Sequence, residues 1–147
     1  MVQPDALLET LGGYVLVEAK RIRRASFQRE QLAREYLAVL REAKTRAPVL
    51  LLILGSRPPI TVKKQGLRNI TEAITEHLPQ VLANTGADER FEDLVKRIPK
   101  VVSWITWAEI NTVIARQLSS MKVEDPSLRG TVERLATAVS AAIAVHS

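Results

Sequence analysis

Pro4-Asp5-Ala6-Leu7-Leu8-Glu9-Thr10-Leu11-Gly12-Gly13-Tyr14-Val15-Leu16-Val17-Glu18-Ala19-Lys20 is the stretch on which the reading of this chain turns. Gly12-Gly13 is expected to supply the positive φ angles of a tight turn, pairing its flanks as an antiparallel hairpin. Residues 14–20 read as a strand, because β-branched and aromatic side chains run through them almost unbroken. Alternation puts Tyr14, Leu16, Glu18 and Lys20 on one face and Val15, Val17 and Ala19 on the other. Both faces are apolar as far as Glu18, which predicts a central strand covered on both sides. A carboxylate and an ammonium at its end are costly to place without a partner or a role. The hairpin returns Asp5 to that same end, so Asp5, Glu18 and Lys20 are expected to converge.

This arrangement resembles the PD-(D/E)XK motif of the restriction-endonuclease-like nuclease superfamily, with Pro4-Asp5 as its first half and Glu18-Ala19-Lys20 as its second. The resemblance implies a divalent metal, Mg²⁺ or Mn²⁺, bound by Asp5, Glu18 and the backbone carbonyl of Ala19. It also implies that Lys20 orients or activates the attacking water. Elementary chemistry agrees, since Mg²⁺ takes hard oxygen ligands and acts on bound water and on phosphate oxygens. The plainer reading of the same residues is a hairpin that ends in a surface salt bridge.

Composition narrows the classes. The 147 residues suit one domain, 1–147, and a charged fraction of 25% beside 46% hydrophobic residues excludes a disordered chain. The absence of cysteine rules out a disulfide framework, a thiolate zinc site and a thiol nucleophile. His77 and His146 are too far apart in sequence to predict a histidine metal site. A formal charge of +5 is compatible with a polyanionic partner. No apolar run is long enough for a bilayer span and no signal peptide opens the chain, so the expected location is cytoplasmic.

Outward from Lys20, Arg21, Arg23 and Arg24 form a basic patch, and a helix is expected over about 27–44 with Ser26 as its N-cap. Its apolar stripe is Leu32, Tyr36, Val39 and Leu40, widened by Ala33, Leu37 and Ala43. Gln31 resembles the glutamine that follows the Glu-x-Lys strand in many nucleases of the superfamily, which implies a supporting role at the site. Four residues separate Gln31 from Tyr36 where the family variant has three, so Tyr36 reads as core.

Residues 49–54 read as an interior strand parallel to the first, and 56–66 as a Pro-rich loop whose Arg57, Lys63 and Lys64 join Arg21 as candidate phosphate contacts. Helices follow over about 67–82 and 88–98, then a strand over 101–107. Thr106 and Glu109 form a capping box for a helix over 107–120. Trp104 and Trp107 read as core. Asp125-Pro126 opens a last helix with a Leu128, Val132, Leu135, Val139 and Ile143 stripe, and its Ala-rich face around 136–144 suits close packing or a subunit contact such as that of a homodimer.

The expected fold is α/β: a restriction-endonuclease-like core with a small mixed sheet, in the order hairpin, helix, strand, then helices and a late strand. The helix and strand that precede the Pro-Asp strand in superfamily cores are missing ahead of Pro4, which implies a truncated form or another segment at that edge. The expected activity is metal-dependent hydrolysis of phosphodiester bonds in DNA, as endonuclease or exonuclease. The rival is a catalytically inactive domain on the same scaffold, acting in nucleic-acid binding or assembly.

Overall fold

The computed structural model describes residues 3–21, 25–86 and 88–146; Arg23 and Arg24 of the expected basic patch lie outside them. The elements are β1 (Ala6–Glu9), β2 (Gly13–Ala19), α1 (Gln31–Glu42), β3 (Ala47–Leu54), β4 (Ile60–Val62) and β5 (Gly66–Arg68). They continue as α2 (Ile70–Thr85), α3 (Phe91–Val101), β6 (Val102–Thr106), α4 (Trp107–Ser120) and α5 (Pro126–His146). The architecture is α/β, with a mixed sheet of order β1-β2-β3-β6 and a separate β4-β5 ribbon. β1 runs antiparallel to β2, while β2, β3 and β6 are mutually parallel neighbours.

The hairpin forms, but not through left-handed glycines. Neither Gly12 nor Gly13 has positive φ; those angles fall at Gly66 in the ribbon and at Gly86, which caps α2. Instead the Thr10 N–H donates to the Gly13 carbonyl at 3.0 Å, and the Gly13 N–H donates to Thr10 Oγ1 at 2.9 Å. The threonine hydroxyl thus supplies the turn closure that the glycines were expected to supply.

Tyr14 and Leu16 of β2 and Leu50, Leu52 and Leu54 of β3 are buried on the face that α1 covers. Each such side chain stabilises the fold by about 1.5–3 kcal/mol on full burial. α2 packs on α1, and α3 packs on β3 and β6. Tyr36 is fully buried, with its hydroxyl donating to the Leu94 carbonyl at 2.6 Å, so it is a core residue as expected. The opposite face differs from expectation. Val17 is buried there, but Val15, Val49, Leu51 and Ile53 are only half-buried, so β2 is central yet fully covered on one side alone.

Three boundaries also move. α1 begins at Gln31, not near 27, because Phe27 is drawn into a β-bridge with Val62; Glu30 is the N-cap and makes no side-chain cap bond. The expected 56–66 loop contains β4 and the turn into β5. α2 starts only after Asn69, whose side chain accepts from the Thr71 N–H in a capping box with Glu72. Pro79 lies within α2, which continues to Thr85. The Thr106–Glu109 capping box of α4 forms as expected. Trp104 does not join the core: it is 39% exposed, because β6 is an edge strand. The α5 stripe is likewise open at Leu128, Leu135 and Val139, and closes at Ile143. Among the described residues, no helix is long and apolar enough to cross a membrane.

Candidate functional site

β2 leaves the sheet at Lys20, whose N–H makes the last rung to the Ile53 carbonyl at 2.8 Å. The Lys20 carbonyl accepts from Trp107 Nε1 at 2.8 Å, so the first residue of α4 pins the strand end. Trp107 is therefore half-buried for a specific reason: its indole N–H has a backbone partner.

Asp5 is brought to this end by the hairpin. Its N–H donates to the Val17 carbonyl at 3.0 Å and its Oδ2 accepts from the Ala19 N–H at 2.7 Å, so it is bonded to both sequence neighbours of Glu18. N–H and C=O of one strand residue point to the same edge, so the Ala19 carbonyl also faces the β1 side.

Glu18 is buried on the α1 face. Its Oε1 accepts from Lys20 Nζ at 2.5 Å and from Gln31 Nε2 at 2.5 Å. The Lys20 ammonium also donates to Gln31 Oε1 at 3.3 Å and sits 4.8 Å from the centroid of the Phe27 ring. Cation–π attraction at that distance contributes about 0.5–1 kcal/mol or more where water is displaced. Phe27 is held in turn by the ribbon, its N–H donating to the Thr61 carbonyl at 2.9 Å and its carbonyl accepting from the Lys63 N–H at 2.8 Å.

Gln31, the first residue of α1, faces donors with its amide oxygen and acceptors with its amide nitrogen. Oε1 accepts from Lys20 Nζ and from the Gln28 N–H, and Nε2 donates to Glu18 and, at 2.8 Å, to Glu35 Oε1. Glu35 is buried, and its Oε2 has no partner among the described residues. Burial, first of all, pushes its carboxyl up to about 7; the Gln31 hydrogen bond opposes this and the neighbouring Glu18 adds to it.

Asp5, Glu18, Ala19, Lys20 and Gln31 thus meet at the C-terminal end of β2. Glu35 was missed as a member of this network. Its signal was in the sequence: it lies three residues after Leu32 and beside Tyr36, inside the apolar stripe of α1, and four residues after Gln31. Arg21 is exposed beside Lys20 at the mouth of a cleft of about 210 Å³. The three cations of the expected basic loop do not share a surface. Arg57 pairs with Glu109 at 2.5 Å on the α4 side, whereas Lys63 and Lys64 line another cleft with Gln28 and Arg34.

The oxygen donors at the strand end are hard ligands of the kind that Mg²⁺ takes, often through only one or two carboxylates with water completing the shell. Among the described residues, no three His, Cys, Asp or Glu side chains are grouped to hold a metal ion. Comparison with family models, curated proteins and solved structures finds no match to this chain.

Proposed function

We propose that the chain is a metal-dependent nuclease on a restriction-endonuclease-like core, hydrolysing phosphodiester bonds in DNA. The observation that carries the reading is the shared hydrogen-bond network of Glu18, Lys20 and Gln31, with Asp5 bonded on either side of Glu18. The order hairpin, helix, parallel strand supports the same reading. So does the position, because open α/β sheets bind ligands beyond the C-terminal ends of their strands.

Asp5, Glu18 and the Ala19 carbonyl would hold Mg²⁺ or Mn²⁺, which would supply Lewis-acid activation of water and charge neutralisation at phosphate. The chain's own residues then have separate tasks. Lys20, steadied by Phe27 and Gln31, presents an ammonium to the phosphate oxygen on which charge develops. Gln31 fixes the Glu18 carboxylate and the Lys20 ammonium relative to each other. A bond forms from water oxygen to phosphorus, the bond from phosphorus to the leaving sugar oxygen breaks, and the proton lost by the water passes through solvent to that leaving oxygen.

The test is Mg²⁺-dependent cleavage of plasmid and single-stranded DNA by wild type, Glu18→Ala and Lys20→Met, with binding followed in Ca²⁺. Lys20→Met should lower cleavage by about a hundredfold or more while DNA affinity changes little. It also removes the ammonium paired to the buried Glu18, so thermal melts accompany the kinetics. An active wild type matched by an equally active Lys20→Met would remove Lys20 from the mechanism. The second reading, a catalytically silent domain that binds nucleic acid, is favoured by the hydrogen bonds that already occupy Asp5 Oδ2 and Glu18 Oε1 within the chain. A wild type that binds DNA and never cuts it selects that reading.

A further inference from the structure

We infer that Arg29, Arg34, Lys63 and Lys64 form a cleft that receives the phosphate backbone of a DNA duplex beside the candidate site. The inference deepens the nuclease reading and rests on it for the identity of the polyanion. The four cations come from two distant segments: Arg29 and Arg34 from the approach to α1 and its first turn, Lys63 and Lys64 from the turn between β4 and β5. Backbone bonds of Phe27 to Thr61 and Lys63 bring those segments together, so the grouping is built by pairing and not by chance contact of side chains. With Gln28 and Glu30 they line a concavity of about 350 Å³.

Arg41, Arg46, Arg57 and Arg68 each pair with a glutamate, whereas none of the four cleft cations joins an ion pair among the described residues. Other exposed cations, Lys96, Lys100 and Arg116 among them, also join no ion pair among the described residues; what marks these four is that they line one concavity. Glu30 is the single carboxylate lining the cleft. The start of α1 adds to the positive potential, since the helix has no acidic residue in its first turn and no side-chain cap to offset its dipole.

The cleft adjoins the candidate site through one residue. Gln28 lines the cleft, and its N–H donates to the same Gln31 oxygen that accepts from Lys20. A duplex seated on the four cations therefore runs past Gln31 towards Lys20. Arg57, held by Glu109 on the other flank, lies off this track.

The experiment measures the salt dependence of affinity for a short, labelled DNA duplex in Ca²⁺. It compares wild type, the quadruple variant Arg29→Gln/Arg34→Gln/Lys63→Gln/Lys64→Gln, its two halves, and Arg57→Gln. Each lost phosphate contact lowers the slope of log K against log salt by about 0.9, so the quadruple variant should lose roughly 3 to 4 and each half about 2. Arg57→Gln should leave the slope unchanged. All four side chains are exposed, so melting temperatures should match wild type and exclude misfolding as the cause. A wild-type slope in the quadruple variant, an equal loss in Arg57→Gln, or no binding by wild type overturns the cleft. A wild type that binds with this slope and never cleaves keeps the cleft and overturns the nuclease reading. A cleaving wild type whose quadruple variant keeps the full slope does the reverse.

Discussion

Gln31 holds together two carboxylates of unequal character. Its Nε2 donates to Glu18, which also has the Lys20 ammonium, and to Glu35, which has no cation within its hydrogen bonds. Glu35 is consequently the group whose ionisation the fold resists, and its carboxyl is pushed up from 4.5 to about 7. The sign of the consequence follows from proton counting. Between those two values the native state keeps a proton that the unfolded chain has lost, so stability is fully present below pH 4.5 and falls as pH rises towards 7. One proton contributes a slope of up to about 1.4 kcal/mol per pH unit in that window. Glu35→Gln keeps an acceptor for Gln31 and cannot titrate, so its unfolding free energy should be flatter than wild type across the window. Urea unfolding at several pH values reads this directly, and parallel pH profiles would mean that Glu35 is not the group that titrates.

At the scale of elements, the two capping boxes make opposite predictions because their helices bury different amounts. α2 carries Ile70, Ala73, Ile74, Leu78 and Val81 into the core, whereas α4 has no fully buried side chain. Losing either cap removes about 1 kcal/mol, within a range of about 0.5–2. Asn69→Ala should therefore lower global stability by about that amount. Thr106→Ala should instead fray α4 locally, raising its amide exchange while the global midpoint moves little. Both helices unfolding with the global transition in both variants would contradict this. The Thr106 box was legible in the sequence, as were β2, β3 and the hairpin, because each rests on local chemistry: a cap spacing, or a run of β-branched and aliphatic residues. The start of α1 was not legible. Phe27 and Val62 pair across more than thirty residues, and a long-range bridge of that kind leaves no local periodicity. The short β4 and β5 strands were hidden for the same reason, behind Pro58, Pro59 and Gly66. The return of Asp5 to the strand end of Glu18 and Lys20 was legible because a hairpin needs only period and chain direction, whereas Gln31 was expected there from the resemblance alone. The burial of Glu35 and the separation of Arg57 from Lys63 were not, since both depend on which elements pack together.

At the scale of the whole molecule, two of the places where large apolar side chains stay exposed are relevant to assembly. One is the edge strand β1, with Leu7 and Leu8 at 43% and 54% exposure; the other is α5, with Leu135 at 62% and Val139 at 44%. The core between them is dense: Leu50 and Leu52 of β3 and Ile74 of α2 are fully buried. Magnitudes separate the two kinds of site. Leu50→Ala removes a buried side chain from the middle of the sheet and should cost about 2–5 kcal/mol, transfer and cavity terms together. Leu8→Lys and Leu135→Glu alter exposed positions and should change the stability of the single chain by no more than about 0.5 kcal/mol. Urea unfolding at low protein concentration checks all three values. The same samples test the homodimer expected from the α5 face by sedimentation at increasing concentration. Leu135→Glu places a charge in the open stripe, so it should abolish the dimer, while Leu8→Lys at the far sheet edge should leave it. A mass unaffected by Leu135→Glu removes α5 from any subunit contact, and a mass lowered by Leu8→Lys alone moves that contact to the edge of β1, where unpaired strand N–H and C=O groups invite pairing.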